Sequence, residues 1–298
     1  MVSKPDFDPE NLSELLEAAS ESGTEESFLV NRATQGLYAP GSTFKIITLL
    51  EYYRENQDLD AFSYVCDGSL EVDGYELHCS GNKAHGTLDL KTAFAKSCNG
   101  AFATIGLSLD ITKLGRLADS LLFNQDLSLE ISSKQSSYTL GTEDSDFTVA
   151  QTVIGQGETL VTPIHLAMIM SAIANDGVLM TPYVIAGTES VDGNSKTEVS
   201  PSKYGTLISS TEARMLREYM SEVTESGTAS SLASGNYEIY GKTGTAQTGT
   251  DGVVNSWFVG CVSAEDKEYV ICVLAANQSE SAKSATAMTK EILNAMGF

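Results

Sequence analysis

Ser42-Thr43-Phe44-Lys45, Ser97-Cys98-Asn99 and Lys242-Thr243-Gly244-Thr245 are the segments whose residue types can do chemistry together. A serine hydroxyl is a weak nucleophile until an adjacent base takes its proton, and a lysine serves as that base only when neutral. Lys45 follows Ser42 at i+3, so on a helix the two side chains share a face. Bringing a lysine pKa from about 10.4 to near 7 requires roughly 4 to 5 kcal/mol, which burial and a second positive charge can supply together. Lys242 is the candidate for that charge. A helix starting at Ser42 also turns its first N–H groups and positive dipole end toward the place where an oxyanion would form. The chemistry this describes is acyl transfer through a serine ester.

Each segment needs an element to hold it. Pro40-Gly41 breaks the chain, and Phe44, Ile46, Ile47, Leu49, Leu50 and Tyr53 then form an apolar pattern too wide for a surface helix, predicting a buried one. Leu88, Leu90, Ala93, Phe94 and Ala95 predict a helical run to Asn99 with a polar tip. Positions i and i+2 do not share a helix face, so Ser97 and Asn99 are expected on a loop facing a cleft. Tyr237 to Thr248 begins with strand alternation and carries Gly241 and Gly244, which predicts an edge strand approached closely by another backbone or a ligand.

Elsewhere, Met1-Val2 is expected to enter a strand directly, and residues 9–20 read as an amphipathic helix with Leu12, Leu15 and Leu16 on one side. Residues 21–41 read as a polar approach to the Ser42 helix. Residues 57–150 alternate glycine-rich turns with helical runs, including Ile111 to Phe123, and predict a mostly helical lobe bearing Ser97. Thr162 caps a helix with Pro163 in its first position, running to Asn175 before Gly177. Gly155-Gln156-Gly157 lacks the third glycine of a dinucleotide fingerprint and reads as a turn near the site. Residues 187–205 are a polar hairpin or loop; 237–245, 254–262 and 268–276 are consecutive strands, with a helix over 284–296. The class is α+β, a central antiparallel sheet of about five strands covered by helices.

The ordered set serine-x-x-lysine, serine-x-asparagine and lysine-threonine-glycine is the signature of penicillin-binding proteins and class A β-lactamases. Asn31-Arg32-Ala33-Thr34-Gln35-Gly36-Leu37-Tyr38-Ala39-Pro40-Gly41 and the Ser42 tetrad resemble the active-site approach of class B penicillin-binding proteins, the monofunctional peptidoglycan transpeptidases. The resemblance starts at Val2-Ser3-Lys4-Pro5-Asp6-Phe7-Asp8-Pro9, like that domain's opening strand. It continues through His85-Gly86-Thr87-Leu88, Ile154-Gly155-Gln156-Gly157, Thr162-Pro163, Lys242 to Gln247 and Trp257-Phe258-Val259-Gly260.

The resemblance implies one transpeptidase domain over 1–298, with Ser42 as nucleophile, Lys45 as base, Ser97 as proton relay and Asn99 as a hydrogen-bond partner of the substrate amide. It implies that Lys242, Thr243, Gly244 and Thr245 bind the donor peptide, whose carboxylate the lysine and threonine hydroxyls hold. The N–H groups of Ser42 and Thr245 would form the oxyanion hole. Expected partners are peptidoglycan stem peptides of lipid II-derived strands, β-lactams and a polymerising glycosyltransferase. Hydrolysis of the acyl-enzyme is the expected side reaction. Class B proteins precede this domain with a membrane anchor and a pedestal domain, so the chain is expected to be an excised domain working on the outer face of the bacterial plasma membrane. Two other readings stay open. Class D β-lactamases share Ser42-Thr43-Phe44-Lys45 and Lys242-Thr243-Gly244 but usually carry valine where this chain has Asn99. A non-catalytic β-lactam sensor or scaffold would use the same fold.

At 298 residues and 42% hydrophobic composition the chain can bury a large core. Its formal charge of -22 opposes nucleic-acid binding, which rests on cationic contacts to phosphate. No run of eighteen apolar residues and no signal peptide are present in the sequence. His78, His85 and His165 fall in no hydrolase motif, and no cofactor or metal is expected. Of the 5 cysteines, Cys261 and Cys272 lie in apolar strand-like runs and read as ordinary buried thiols. Cys66 and Cys79 flank a glycine-containing loop, and a disulfide between them, which an extracytoplasmic setting permits, and free thiols both stay open. A three-cysteine, one-histidine zinc set of Cys66, Cys79, His85 and Cys98 ranks below that disulfide and below free thiols, because it has no cysteine-x-x-cysteine.

Overall fold

The computed structural model describes residues 1–22, 27–56, 58–265 and 267–298; residues 23–26 of the predicted polar approach lie outside them. In chain order the elements are α1 (Leu12–Ser22), α2 (Arg32–Gln35), α3 (Lys45–Glu55), β1 (Tyr64–Cys66), β2 (Ser69–Val72), β3 (Tyr75–His78), β4 (Gly86–Leu88), α4 (Leu90–Ala95) and α5 (Asn99–Ser108). They continue with α6 (Ile111–Ser120), α7 (Asp146–Val153), α8 (Pro163–Ala174), β5 (Val178–Met180), β6 (Gly187–Glu189), β7 (Lys196–Glu198), β8 (Lys203–Thr206) and α9 (Ser210–Glu225). The last four are β9 (Glu238–Gln247), β10 (Val253–Ala264), β11 (Lys267–Ser279) and α10 (Ala285–Met296).

The central sheet is antiparallel, in the order β11-β10-β9. Its register sets Val259 opposite Lys242, Phe258 opposite Thr243 and Trp257 opposite Gly244. β10 is buried over most of its length, as expected of a central strand with cover on both faces. Helices α8 and α10 pack against β10 and β11, and α9 packs against β9. The α3 helix is itself core: Phe44, Ile46, Ile47, Leu49 and Leu50 are buried and join Phe94, Phe102, Phe123, Trp257 and Phe258 in one apolar cluster. That burial carries the Lys45 side chain into the interior.

Local chemistry fixes the helix starts that matter. The Thr162 side chain accepts from the His165 N–H, and Pro163 occupies the first turn of α8, where its missing N–H costs nothing. Ser209 and Glu212 close a reciprocal capping box at α9. The expected helix over Leu88–Asn99 is two helices: α4 ends at Ala95, and α5 starts at Asn99 after Ser97 adopts a left-handed backbone at φ 56°.

Two expectations are corrected. Among the described residues the central sheet has three strands, not about five. The N-terminal residues form no strand before the short helical turn Pro9–Asn11. Pro5 and Pro9 each lack a ladder donor, and the segment is mostly exposed, so nothing favours pairing. It is tied down instead by Ser3, whose Oγ accepts from the Arg32 N–H at 2.8 Å. Residues 187–205 do contain the predicted hairpin, β6 against β7. Within 58–150, the helices are accompanied by two small antiparallel pairs, β1–β4 and β2–β3.

Candidate active site

Ser42 lies on a single tight turn, Gly41–Thr43, that leads into α3. The turn is clamped from two sides. The Gly41 N–H donates to the Gly155 carbonyl at 2.8 Å, and the Trp257 Nε1–H donates to the Ala39 carbonyl at 3.0 Å. Gly155 has φ +80°, and a Cβ built there would lie 1.9 Å from the Gly41 oxygen. A Cβ on Gly41 would lie 2.7 Å from the Thr245 carbonyl oxygen. Glycines at these positions therefore let the 155–157 turn and β9 close on the serine from opposite sides. Gly155→Ala is expected to destabilise the fold by about 2–4 kcal/mol, through left-handed strain plus displacement of the Gly41 backbone. Gly74, also at positive φ but with nothing within 4 Å of its built Cβ, should cost only about 1 kcal/mol when changed to alanine. Urea denaturation of both variants measures the difference.

The polar network is built on Lys45, Ser97, Asn99 and Lys242. Lys45 and Lys242 are each 0% exposed. The Lys45 Nζ donates to the Ser97 carbonyl at 2.8 Å, to Ser97 Oγ at 3.3 Å and to Asn99 Oδ1 at 2.6 Å. The Lys242 Nζ reaches the same Ser97 Oγ at 2.9 Å and its neighbour's carbonyl, Thr243 O, at 3.1 Å. One hydroxyl thus bridges two buried amines. The partners of both amines are hydroxyl, amide and carbonyl oxygens, while Lys45 also lies 5.6 Å from the Phe102 ring centroid and Lys242 lies 5.5 Å from that of Phe94. Burial takes the Lys45 amine from 10.5 down to about 7, with Cys98 and Cys79 pulling it partly back up. Burial also holds Lys242 well below its ordinary value, and the nearby Lys45 charge pushes the same way.

Ser42 sits in the tight turn Gly41–Thr43, and Lys45 is the first residue of α3 that follows it. Thr243 and Thr245 alternate with the buried Lys242, Gly244 and Ala246 along β9, so the two threonines share its accessible face. A Cβ on Gly244 would come within 2.8 Å of the Pro40 carbonyl, which fixes how closely β9 can approach the serine turn. The Asn99 Nδ2 donates to the His78 carbonyl at 2.8 Å while its Oδ1 accepts from Lys45, so both ends of the amide are engaged.

Sequence reasoning missed Thr228, whose Oγ1 lies 2.5 Å from that of Thr243. Gly227 allows it: a Cβ there would sit 2.4 Å from the Ala95 carbonyl, and the Thr228 N–H donates to that carbonyl at 3.1 Å. A glycine directly after the amphipathic α9 pattern was the available signal. Gln156 was read only as part of a turn; its Nε2 approaches the Thr245 carbonyl at 3.5 Å. His165 is a core residue that contacts the Leu121 carbonyl through Nε2 at 2.7 Å, and burial lowers its pKa to about 4. Of the alternatives open for Cys66 and Cys79, the disulfide is absent: both thiols are free, with sulfurs 3.7 Å apart.

Sheet, serine turn and amine network together have the arrangement of penicillin-binding transpeptidase domains. A family model described as penicillin binding protein transpeptidase domain matches residues 1–294, and the chain belongs to that family. It is 31% identical over 289 residues to stage V sporulation protein D of Bacillus subtilis, covering 93% of this chain and 43% of that protein. It is 30% identical over 290 residues to the peptidoglycan D,D-transpeptidase PbpA of Mycolicibacterium smegmatis, covering 92% of this chain and 58% of that protein. The chain therefore spans about half the length of these relatives. Among solved structures, the D,D-transpeptidase domain of a peptidoglycan glycosyltransferase from Eggerthella lenta superposes with TM-score 0.88 at 28% identity, covering 100% of this chain and 75% of that one. Penicillin-binding protein A from M. tuberculosis, as its imipenem acyl-enzyme complex, gives 0.86 at 26% identity, covering 99% and 69%. Among the described residues no helix is long and apolar enough to cross a membrane.

Proposed function

We propose that this chain is a serine-type D,D-transpeptidase unit that cross-links peptidoglycan stem peptides and is acylated by β-lactams. The observation that carries the reading is the Ser97 hydroxyl held between two buried amines, one turn from Ser42. In its neutral form Lys45 takes the Ser42 proton as Oγ attacks the penultimate D-alanyl carbonyl. The N–H groups of Ser42, at a helix start, and of Thr245 face the developing oxyanion. As the tetrahedral centre collapses, the C–N bond breaks and the proton returns through Ser97 to the departing D-alanine amine. An amine of a neighbouring stem then attacks the ester and restores Ser42, and water in its place gives carboxypeptidase turnover.

Lys242, Thr243 and Thr245 bind the donor's terminal carboxylate, Asn99 the substrate amide, and the donor lies along β9 as an added strand. PbpA of M. smegmatis carries the D,D-transpeptidase name and the M. tuberculosis structure is an imipenem acyl-enzyme, which supports the assignment. By the same analogy the unit works as one domain at the outer face of the bacterial plasma membrane, behind an anchoring segment and beside a glycosyltransferase.

A D-Ala-D-Ala stem-peptide thioester analogue incubated with the protein and a D-amino acid acceptor should yield the exchanged peptide, and penicillin should leave a long-lived adduct. Rapid multiple turnover of penicillin without peptide exchange would replace this reading with a β-lactamase.

A further inference from the structure

Cys66, Cys79, His85 and Cys98 come together from four separate places: the end of β1, the residue after β3, the loop before β4 and the turn before α5. Their three sulfurs and one imidazole nitrogen all lie within 4.8 Å of one another. Cys66 Sγ is 3.7 Å from Cys79 Sγ, Cys79 Sγ is 3.8 Å from Cys98 Sγ, and Cys66 Sγ is 3.3 Å from His85 Nδ1. In a tetrahedron with zinc–sulfur bonds of about 2.3 Å, neighbouring sulfurs stand about 3.8 Å apart, and a sulfur and a nitrogen about 3.5 Å. A disulfide would need about 2.05 Å. Cys79 is thus spaced from Cys66 and from Cys98 as neighbouring corners of a zinc site are. The three cysteines are each at most 3% exposed, and the histidine closes the cluster from a half-buried position.

We infer that Cys66, Cys79, His85 and Cys98 are the ligands of a structural zinc ion that ties the Ser97–Asn99 loop to the β1–β4 pair and the β2–β3 hairpin. Four protein ligands fill a tetrahedral shell and leave no open position for a reacting water, so the ion's role is structural. Binding converts three thiols to thiolates and releases their protons to solvent, while His85 ligates as a neutral imidazole through Nδ1. Cys98 is the middle residue of the Ser97-Cys98-Asn99 segment, so a bond from its sulfur to the ion holds both flanking residues. Ser97 occupies a left-handed backbone, sparsely populated for a residue with a side chain, which persists only when its surroundings impose it. The Asn99 bond to the His78 carbonyl, next to Cys79, runs alongside the same connection.

The experiment has two arms, and only the second depends on the proposed transpeptidase reading. First, full-length purified protein dialysed in zinc-containing buffer is assayed by elemental analysis and native mass spectrometry, alongside His85→Ala, Cys66→Ser and His85→Cys. One zinc per chain is expected in the parent and in His85→Cys, which restores a fourth ligand. His85→Ala and Cys66→Ser should lose the metal. A cobalt-loaded parent should show the strong visible bands of tetrahedral thiolate ligation. Absence of stoichiometric metal, with Cys66, Cys79 and Cys98 alkylating freely or with two of them joined as a disulfide, would overturn the site, as would full zinc retention in both ligand-deleted variants. Second, Ser42 acylation by a fluorescent penicillin should slow in His85→Ala and recover in His85→Cys, with circular dichroism confirming that both variants fold. Unchanged acylation in a metal-free, folded His85→Ala would remove the positioning role while leaving the metal content on record.

Discussion

Alanine in place of Ser42 is expected to abolish covalent labelling by penicillin, with intact-mass analysis showing a stable one-drug adduct on the parent chain and none on the variant. The size of the effect follows from what is deleted. In the proposed mechanism Ser42 Oγ forms the ester, while Ser97 Oγ, bridged between Lys45 and Lys242, relays the proton. Removing the nucleophile from a serine acyl-transfer site costs on the order of 10⁴-fold or more in rate, leaving only what binding and the oxyanion donors contribute. The fold should not suffer. Ser42 is half-buried on a turn whose closing hydrogen bonds are made by the Gly41 backbone, and alanine suits the start of a helix. Stability should therefore change by about 0.5 kcal/mol at most. Labelling that persisted in Ser42→Ala would place the reacting group elsewhere and remove the proposed mechanism.

What could be read along the chain was what depends on neighbours in sequence. The capped start of α8 at Thr162-Pro163 and the strands read over 237–245, 254–262 and 268–276 are local or periodic signals, and the structure carries them as α8, β9, β10 and β11. Other features depend on what comes near from far away. That Gly155 must be glycine follows from the Gly41 backbone pressing on it, which no local pattern encodes. Thr228 reaches Thr243 because the chain after α9 docks on the end of α4. The state of the cysteines stays open in the sequence for a related reason. Cys66 and Cys79 flank one loop and suggest a pair, and irregular spacing ranks the set with His85 and Cys98 low, whereas in space all four converge on one point. The N-terminal segment went wrong in the other direction: likeness to a family strand outweighed Pro5 and Pro9, and the prolines prevailed.

Lys45→Met is expected to lower the rate of acylation by about 10²–10⁴-fold, the range for losing a positioned general base, and to change its pH dependence. The base works only when neutral. With the Lys45 amine held at about 7 by burial, the parent's acylation rate should rise with pH through about 7 and then level off, and the variant's residual rate should not follow that curve. The same substitution separates catalysis from stability. Because the folded-state pKa is depressed, the folded chain binds fewer protons at this amine than the unfolded chain between about 7 and 10.5. Its contribution to stability is therefore least favourable below pH 7 and improves as pH rises through that window. Keeping this amine buried costs the folded state roughly 4 kcal/mol near pH 7, partly offset by its bonds to Ser97 and Asn99. Methionine removes the amine but leaves Asn99 Oδ1 and the Ser97 carbonyl without that donor, a loss of about 1–3 kcal/mol for each buried acceptor not reached by water. The variant should consequently be close to the parent in stability at pH 7 and relatively less stable at pH 9, by urea denaturation at both values. A variant that kept the parent's pH–rate profile would show that Lys45 is not the base. One that lost activity together with cooperative unfolding would show that the buried amine is needed for folding rather than for proton transfer.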